Sequence, residues 1–156
     1  MSTVQVGEKI PEFSAATHLG DINSSEFSGK QVVIYFYPKD NTPGCTTEGQ
    51  DFRDSFSAFE AANTMIIGVS RDSLRTHENF AKKHEFPFAL LSDPDEKICR
   101  LFDVIKLKKL YGKEHEGIER STFLFDNNGI LQKEWRKVKV KGHVEEVLEA
   151  AKSIQS

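Results

Sequence analysis

Residues 32–37, Val-Val-Ile-Tyr-Phe-Tyr, form an unbroken apolar and aromatic run with no polar alternation. β-Branched and aromatic side chains favour a strand, and a strand with no polar side is one covered on both faces. Residues 64–70, Thr-Met-Ile-Ile-Gly-Val-Ser, read the same way. Between the two, Phe52, Phe56 and Phe59 recur at i, i+4 and i+7, which is one face of a helix. Two fully covered strands joined through a helix require a sheet sandwiched between layers, and this limits the chain to an α/β architecture.

Further elements follow that frame. Leu74, Phe80, Ala81 and His84 mark a weaker helical face over residues 73–85, and "FPFALLSD" ends a short strand in a turn. In "DPDEKICRLFDV", Asp93 is an expected N-cap and Pro94 an expected first-turn residue of another helix. Residues 106–117, "KLKKLYGKEHEG", are polar and read as a loop. Strands at 121–125 and 130–138 flank "DNNG", a hairpin turn signal, and Val144, Val147, Leu148 and Ala151 define a closing amphipathic helix. With no repeat, low-complexity tract or linker, the 156 residues are expected to form one domain, 1–156, around a central mixed sheet flanked by helices on both faces. In such sheets functional groups sit just past the C-terminal ends of strands. The segment leaving strand 32–37 is such a place.

The formal charge of −3 argues against nucleic-acid binding, which shows as a basic excess. The one basic run, "RKVKVKGH", alternates charge with valine and reads as a solvated strand face. No segment approaches the roughly 18 apolar residues of a membrane helix. The start "MSTVQVGEKIPEF" lacks the basic and apolar regions of a secretory signal, so a cytoplasmic location is expected. Two cysteines make no disulfide framework, which agrees with a reducing compartment.

Of those two, Cys45 is the chemical candidate. It follows Thr-Pro-Gly, a turn sequence, and precedes the Phe52/Phe56/Phe59 face, so it falls in the first turn of a helix. Unpaired N–H groups and the helix dipole favour a thiolate placed there. Thr42, three residues earlier, offers a hydroxyl to a small polar substrate. Cys99 lies among Ile98, Leu101, Phe102 and Ile105 and reads as core packing.

"YFYPKDNTPGCTTE" closely resembles the active-site segment of peroxiredoxins, thiol peroxidases of the thioredoxin-like fold. Pro38, Thr42 and Cys45 match the family's Pro-x-x-x-Thr-x-x-Cys pattern, and Arg120, in "IERSTFLF", matches its distal arginine. "LLSDPD" and "WRKVKVKGHVEEVLEA" are similar to the bacterioferritin-comigratory, or Q-type, subfamily, and the resemblance runs from about residue 5 to the end. It implies reduction of hydrogen peroxide or an alkyl hydroperoxide through a Cys45 sulfenic acid, by a monomer, with no metal or organic cofactor. Glu48, three residues after Cys45, would by resemblance orient Arg120; the alternative is an exposed first-turn acid stabilised by the dipole.

Thiol activation alone achieves little in such a reaction. A cysteine of pKa about 8.5 is roughly 3% thiolate at pH 7, and lowering the pKa to about 6 raises that about 30-fold. Intrinsic nucleophilicity falls about 10- to 18-fold over the same shift, leaving a gain of about two- to threefold. The remaining acceleration has to come from positioning the peroxide and from stabilising charge on the leaving oxygen. By resemblance those tasks fall to Arg120, Thr42 and the Cys45 N–H, with Pro38 shaping the pocket.

One position departs from the family. Many Q-type members carry a resolving cysteine five residues after the first, where this chain has Gln50. An external thiol, glutathione with a glutaredoxin or a thioredoxin-like protein, is therefore expected to resolve the sulfenic acid. The alternatives are that Cys99 resolves it, or that Cys45 serves a redox sensor without steady turnover. A thiol–disulfide oxidoreductase lacks its Cys-x-x-Cys here, and a cysteine hydrolase lacks a recognisable histidine base among the five histidines, of which His84 and His143 read as helix-face or capping residues.

Overall fold

The computed structural model describes residues 4–27 and 29–154. Its centre is a seven-stranded sheet in the order β2-β1-β5-β4-β3-β8-β9. The strands are β1 (Ser14–Thr17), β2 (Gly20–Asn23), β3 (Gln31–Phe36), β4 (Thr64–Ser70), β5 (Ala89–Ser92), β8 (Ser121–Phe125) and β9 (Leu131–Arg136). β3, β4 and β5 run parallel, and the remaining pairings are antiparallel, so the sheet is mixed as expected. All six residues of β3 are buried, as its unbroken apolar run requires.

Side chains alternate between two cores across this sheet. Val33, Tyr35, Ile66, Leu90 and Leu124 point to a layer built by α1 (Pro43–Asp54), α2 (Phe56–Ala61), α3 (Leu74–His84) and α5 (His143–Ile154). Val32, Ile34, Phe36, Ile67 and Leu91 point to the opposite layer, which holds α4 (Lys97–Leu101), the 3-10 turn Ser24–Phe27 and the N-terminal Val4 and Phe13. Helices thus cover both faces, four of them on one side.

Four sequence expectations change. The Phe52/Phe56/Phe59 helix is split at Ser55 into α1 and α2, with Phe52 and Phe59 fully buried and Phe56 partly so. Residues 106–117 are not a loop: β6 (Ile105–Leu110) and β7 (Lys113–Ile118) form a separate two-stranded ribbon. Tyr111 (φ 53°) and Gly112 (φ 77°) supply the two left-handed residues that a tight hairpin turn needs. The "RKVKVKGH" run is a strand only through Arg136, because Lys137 adopts φ 51° and turns the chain off the sheet edge. Finally, Asp93 caps α4 from a distance. Its carboxylate accepts from the Ile98 N–H (3.1 Å) and the Cys99 N–H (2.7 Å), while Glu96 occupies the N-cap position and Pro94 precedes the helix.

Candidate active site

β3 ends at Phe36, and the chain leaves the sheet through Tyr37, Pro38, Lys39, Asp40 and Asn41 before α1 begins. Pro43 opens that helix, where its missing N–H costs nothing and its fixed φ is already helical. Cys45 is the third helical residue, so its N–H has no intrahelical carbonyl to bond. Thr42 occupies the N-cap position, but its hydroxyl does not cap the helix. It donates instead to the Lys39 carbonyl at 2.8 Å, which leaves the oxygen's lone pairs to accept from a ligand.

Sheet topology explains how Arg120 reaches this turn from 75 residues away. β8 lies antiparallel to β3 with Ser121 opposite Phe36, so the residue before β8 stands where the Cys45 segment departs. Arg120 Nη2 donates to Cys45 Sγ at 3.4 Å, and Nη1 donates to Glu48 Oε1 at 2.5 Å. One planar guanidinium thereby spans the Cys45 sulfur and the Glu48 carboxylate. Gly44 makes the close approach possible, since a Cβ there would lie 3.2 Å from Arg120 Nη2. The Arg120 carbonyl accepts from Val138 N (3.0 Å), and Val140 packs beside Gly44, so the segment read as a solvated strand face borders the site.

Glu48 is fully buried, which excludes the exposed first-turn reading. Burial pushes its carboxyl up to about 7 against the opposing pull of Arg120, and its Oε2 has no hydrogen-bond partner. Cys45 is 2% exposed, Pro38, on the segment leading to it, is half-buried, and Arg120 is 16% exposed at its side chain. Access to the sulfur is therefore narrow, and the groups nearest it are fixed.

Cys99 stands apart. It is fully buried in α4 on the opposite face of the sheet from Cys45. Burial, reinforced by the Asp93 carboxylate, pushes its thiol far up, so it stays protonated.

Three features near the site had no part in the chemistry read from the sequence. His143 opens α5 with its Nε2 2.8 Å from Thr122 Oγ1; burial, then the Arg120 charge, lowers it to about 4, so it adds no second cation. Lys108, on the ribbon read as a loop, is half-buried, and burial followed by Arg120 holds its ammonium below the usual range. Asp40 and His77 are buried and bonded to each other. Lys108 and His77 were hidden for the same reason: nothing in local spacing marks a polar residue that meets its partners only through tertiary packing.

The AhpC/TSA family model matches residues 6–134. Peroxiredoxin Bcp of Bacillus subtilis (strain 168) is 52% identical over 153 residues, 97% of this chain and 98% of the relative. A solved Xanthomonas campestris bacterioferritin comigratory protein, described for its alkyl peroxide reduction activity, is 49% identical with a TM-score of 0.88 over 92% of each chain. A cysteine-to-serine mutant of Xylella fastidiosa PrxQ is 40% identical with a TM-score of 0.92 over 98% of each chain. The likeness to these structures identifies the fold as thioredoxin-like. The chain belongs to the AhpC/TSA family as a peroxiredoxin of the bacterioferritin-comigratory, Q-type group, a thiol-dependent peroxidase with Gln50 five residues after its first cysteine.

Proposed function

We propose that Cys45 is the peroxide-reactive thiol and that an external thiol completes the cycle. The observation that carries this reading is the single guanidinium of Arg120 held between Glu48 and Cys45 Sγ. In the reaction, the Cys45 thiolate attacks the terminal oxygen of hydrogen peroxide or an alkyl hydroperoxide. An S–O bond forms, the O–O bond breaks, and sulfur loses two electrons. The departing oxygen leaves with a proton as water or an alcohol. Arg120 meets charge on the sulfur and on the departing oxygen. Thr42, with its own proton committed to Lys39, accepts the peroxide hydrogen. Pro38 walls the pocket. No metal or organic cofactor is called for, because sulfur supplies both electrons.

Resolution follows as attack of a second thiol on the sulfenic sulfur, giving a mixed disulfide and water; another thiol then releases Cys45. Glutathione with a glutaredoxin, or a thioredoxin-like protein, fits the role. Gln50 cannot form a disulfide, and Cys99 lies beyond the sheet with a protonated thiol, which counts against an internal partner. Cys45, Thr42, Glu48 and Arg120 come from one chain, so a monomer suffices. Two free cysteines suit a reducing cytoplasm, and among the described residues no helix is long and apolar enough to cross a membrane.

Steady-state peroxide consumption by the wild type and Cys45→Ser with each reductant tests the reading. Continuous turnover by the wild type and none by Cys45→Ser is expected. A single oxidation without turnover under every reductant would make Cys45 a sensor, and turnover surviving in Cys45→Ser would remove it from the chemistry.

A further inference from the structure

Pro38, Thr42 and the Cys45 turn hang from the end of β3 on a segment whose own anchor takes no part in the chemistry described above. That anchor is Asp40. Its Oδ2 lies 2.7 Å from His77 Nδ1, and its Oδ1 accepts from the Tyr37 hydroxyl at 2.6 Å. Its backbone N–H donates to Asp72 Oδ2 (3.0 Å), which also accepts from Ser70 Oγ (2.5 Å). His77 Nε2 lies 3.0 Å from the Leu91 carbonyl, and both partners of the Asp40–His77 pair have side chains with no exposure. The carboxylate oxygens of Asp40 and Asp72 and a His77 nitrogen lie within 4.8 Å of one another, but each already has a protein partner, so the cluster is complete without a cation.

The proton assignment follows from the partners. A carbonyl only accepts, so His77 Nε2 carries a hydrogen. One further proton lies between Nδ1 and Asp40 Oδ2, on the ring or on the carboxyl, and in either case the pair is neutral as a unit. The network ties the departing loop to β4 through Ser70, to α3 through His77 and to β5 through Leu91. The loop it restrains includes Asn41 in the left-handed region (φ 65°) and the Lys39 carbonyl that receives the Thr42 hydroxyl.

We propose that Asp40 and His77 are positioning residues for the peroxidase reaction, a buried proton-sharing pair that fixes the loop so that Thr42 faces the oxygen attacked by Cys45. The proposal rests on the assignment of Cys45 and Thr42 above. Displacement of a positioning group by about 1 Å can cost on the order of a hundredfold in rate. The pair touches neither sulfur nor peroxide, so its loss should impair peroxide attack and leave attack on a simple alkylating agent almost alone.

The test compares second-order rates of Cys45 with hydrogen peroxide and with iodoacetamide in Asp40→Ala, Asp40→Asn and His77→Gln. Asparagine can still accept from Tyr37 and donate to a neutral His77 Nδ1, so it should rescue. The expected result for Asp40→Ala and His77→Gln is a peroxide rate down by about tenfold or more and an alkylation rate within about threefold of wild type; Asp40→Asn should lie within about threefold of wild type on both. Should Asp40→Ala fail to fold, His77→Gln carries the same expectation. An unchanged peroxide rate, an equal fall with both reagents, or no rescue by asparagine would overturn the proposal. Failure of the wild-type thiol to prefer peroxide over iodoacetamide would instead overturn the reading of the site on which it rests.

Discussion

The two cysteines are both buried and both near the start of a helix, and their surroundings differ. Cys45 is 2% exposed and Cys99 not at all, so exposure alone does not separate them. The charge that their surroundings present does differ. The Cys45 sulfur receives an Arg120 donor, whereas Cys99 sits over the Asp93 carboxylate that accepts its N–H, and burial first, then that carboxylate, pushes its thiol up. A cation beside a helix start favours reactivity of a thiol there, and a carboxylate opposes it. The sheet then keeps the two environments apart.

The sharpest break of that comparison is exchange of the sulfurs. Cys45→Ser should reduce peroxidase turnover to background, and Cys99→Ala should leave it within about twofold of wild type, because the first change removes the proposed nucleophile and the second a core atom. Next is Arg120→Met, which keeps the stem and removes the donors. By analogy with loss of one oxyanion donor, kcat/KM for peroxide should fall about a hundred- to a thousandfold. A fall of less than about threefold would mean that the cation is not what distinguishes Cys45.

On the other side of the sheet, Asp93→Ala removes the acceptor for the Ile98 and Cys99 N–H groups. Loss of a cap typically costs about 0.5–2 kcal/mol, so denaturant unfolding should register about that loss while the peroxide rate stays at the wild-type value.

The smallest expected effects are two opposed pH slopes on either side of Arg120. Glu48 is raised by burial from 4.5 to about 7, so between those values the folded chain holds a proton the unfolded chain has released; this contribution favours folding at the acid end and is lost as pH rises. His143 is lowered by burial from 6.5 to about 4, so there the unfolded chain takes up a proton the folded chain refuses; this contribution is present above about 6.5 and lost as pH falls. Unfolding midpoints measured from about pH 4.5 to about pH 7 should rise more steeply with pH in Glu48→Gln than in the wild type, and should fall with pH, relative to the wild type, in His143→Gln. Curves parallel to the wild type in both variants would contradict the assignment.

Much of the scaffold was legible because it obeys local rules. The apolar runs of β3 and β4, the Phe52/Phe59 face, the "DNNG" turn and the helix start before Cys45 each carry their cause within a few residues. The β6–β7 ribbon was not legible, because among its described residues only the roots Ile105, Gly117 and Ile118 are buried and its body is charged on both sides. The valine–lysine alternation after Arg136 imitated a strand that Lys137 terminates. Within the site, Cys45 could be argued from its helix start, but Arg120 came only through resemblance. Its meeting with Cys45 depends on β8 lying antiparallel to β3, a fact of topology. Asp40 and His77 meet through α3 packing on the sheet, and no spacing announces them.

The most direct measurement is the mass of the dilute protein after about one equivalent of hydrogen peroxide, without reductant, followed by peptide mapping. The account predicts one added oxygen at Cys45 and an unmodified Cys99, with the sulfenic acid discharged on addition of glutathione or a thioredoxin-like protein. Loss of two hydrogens, with the Cys45 and Cys99 peptides joined, would contradict it.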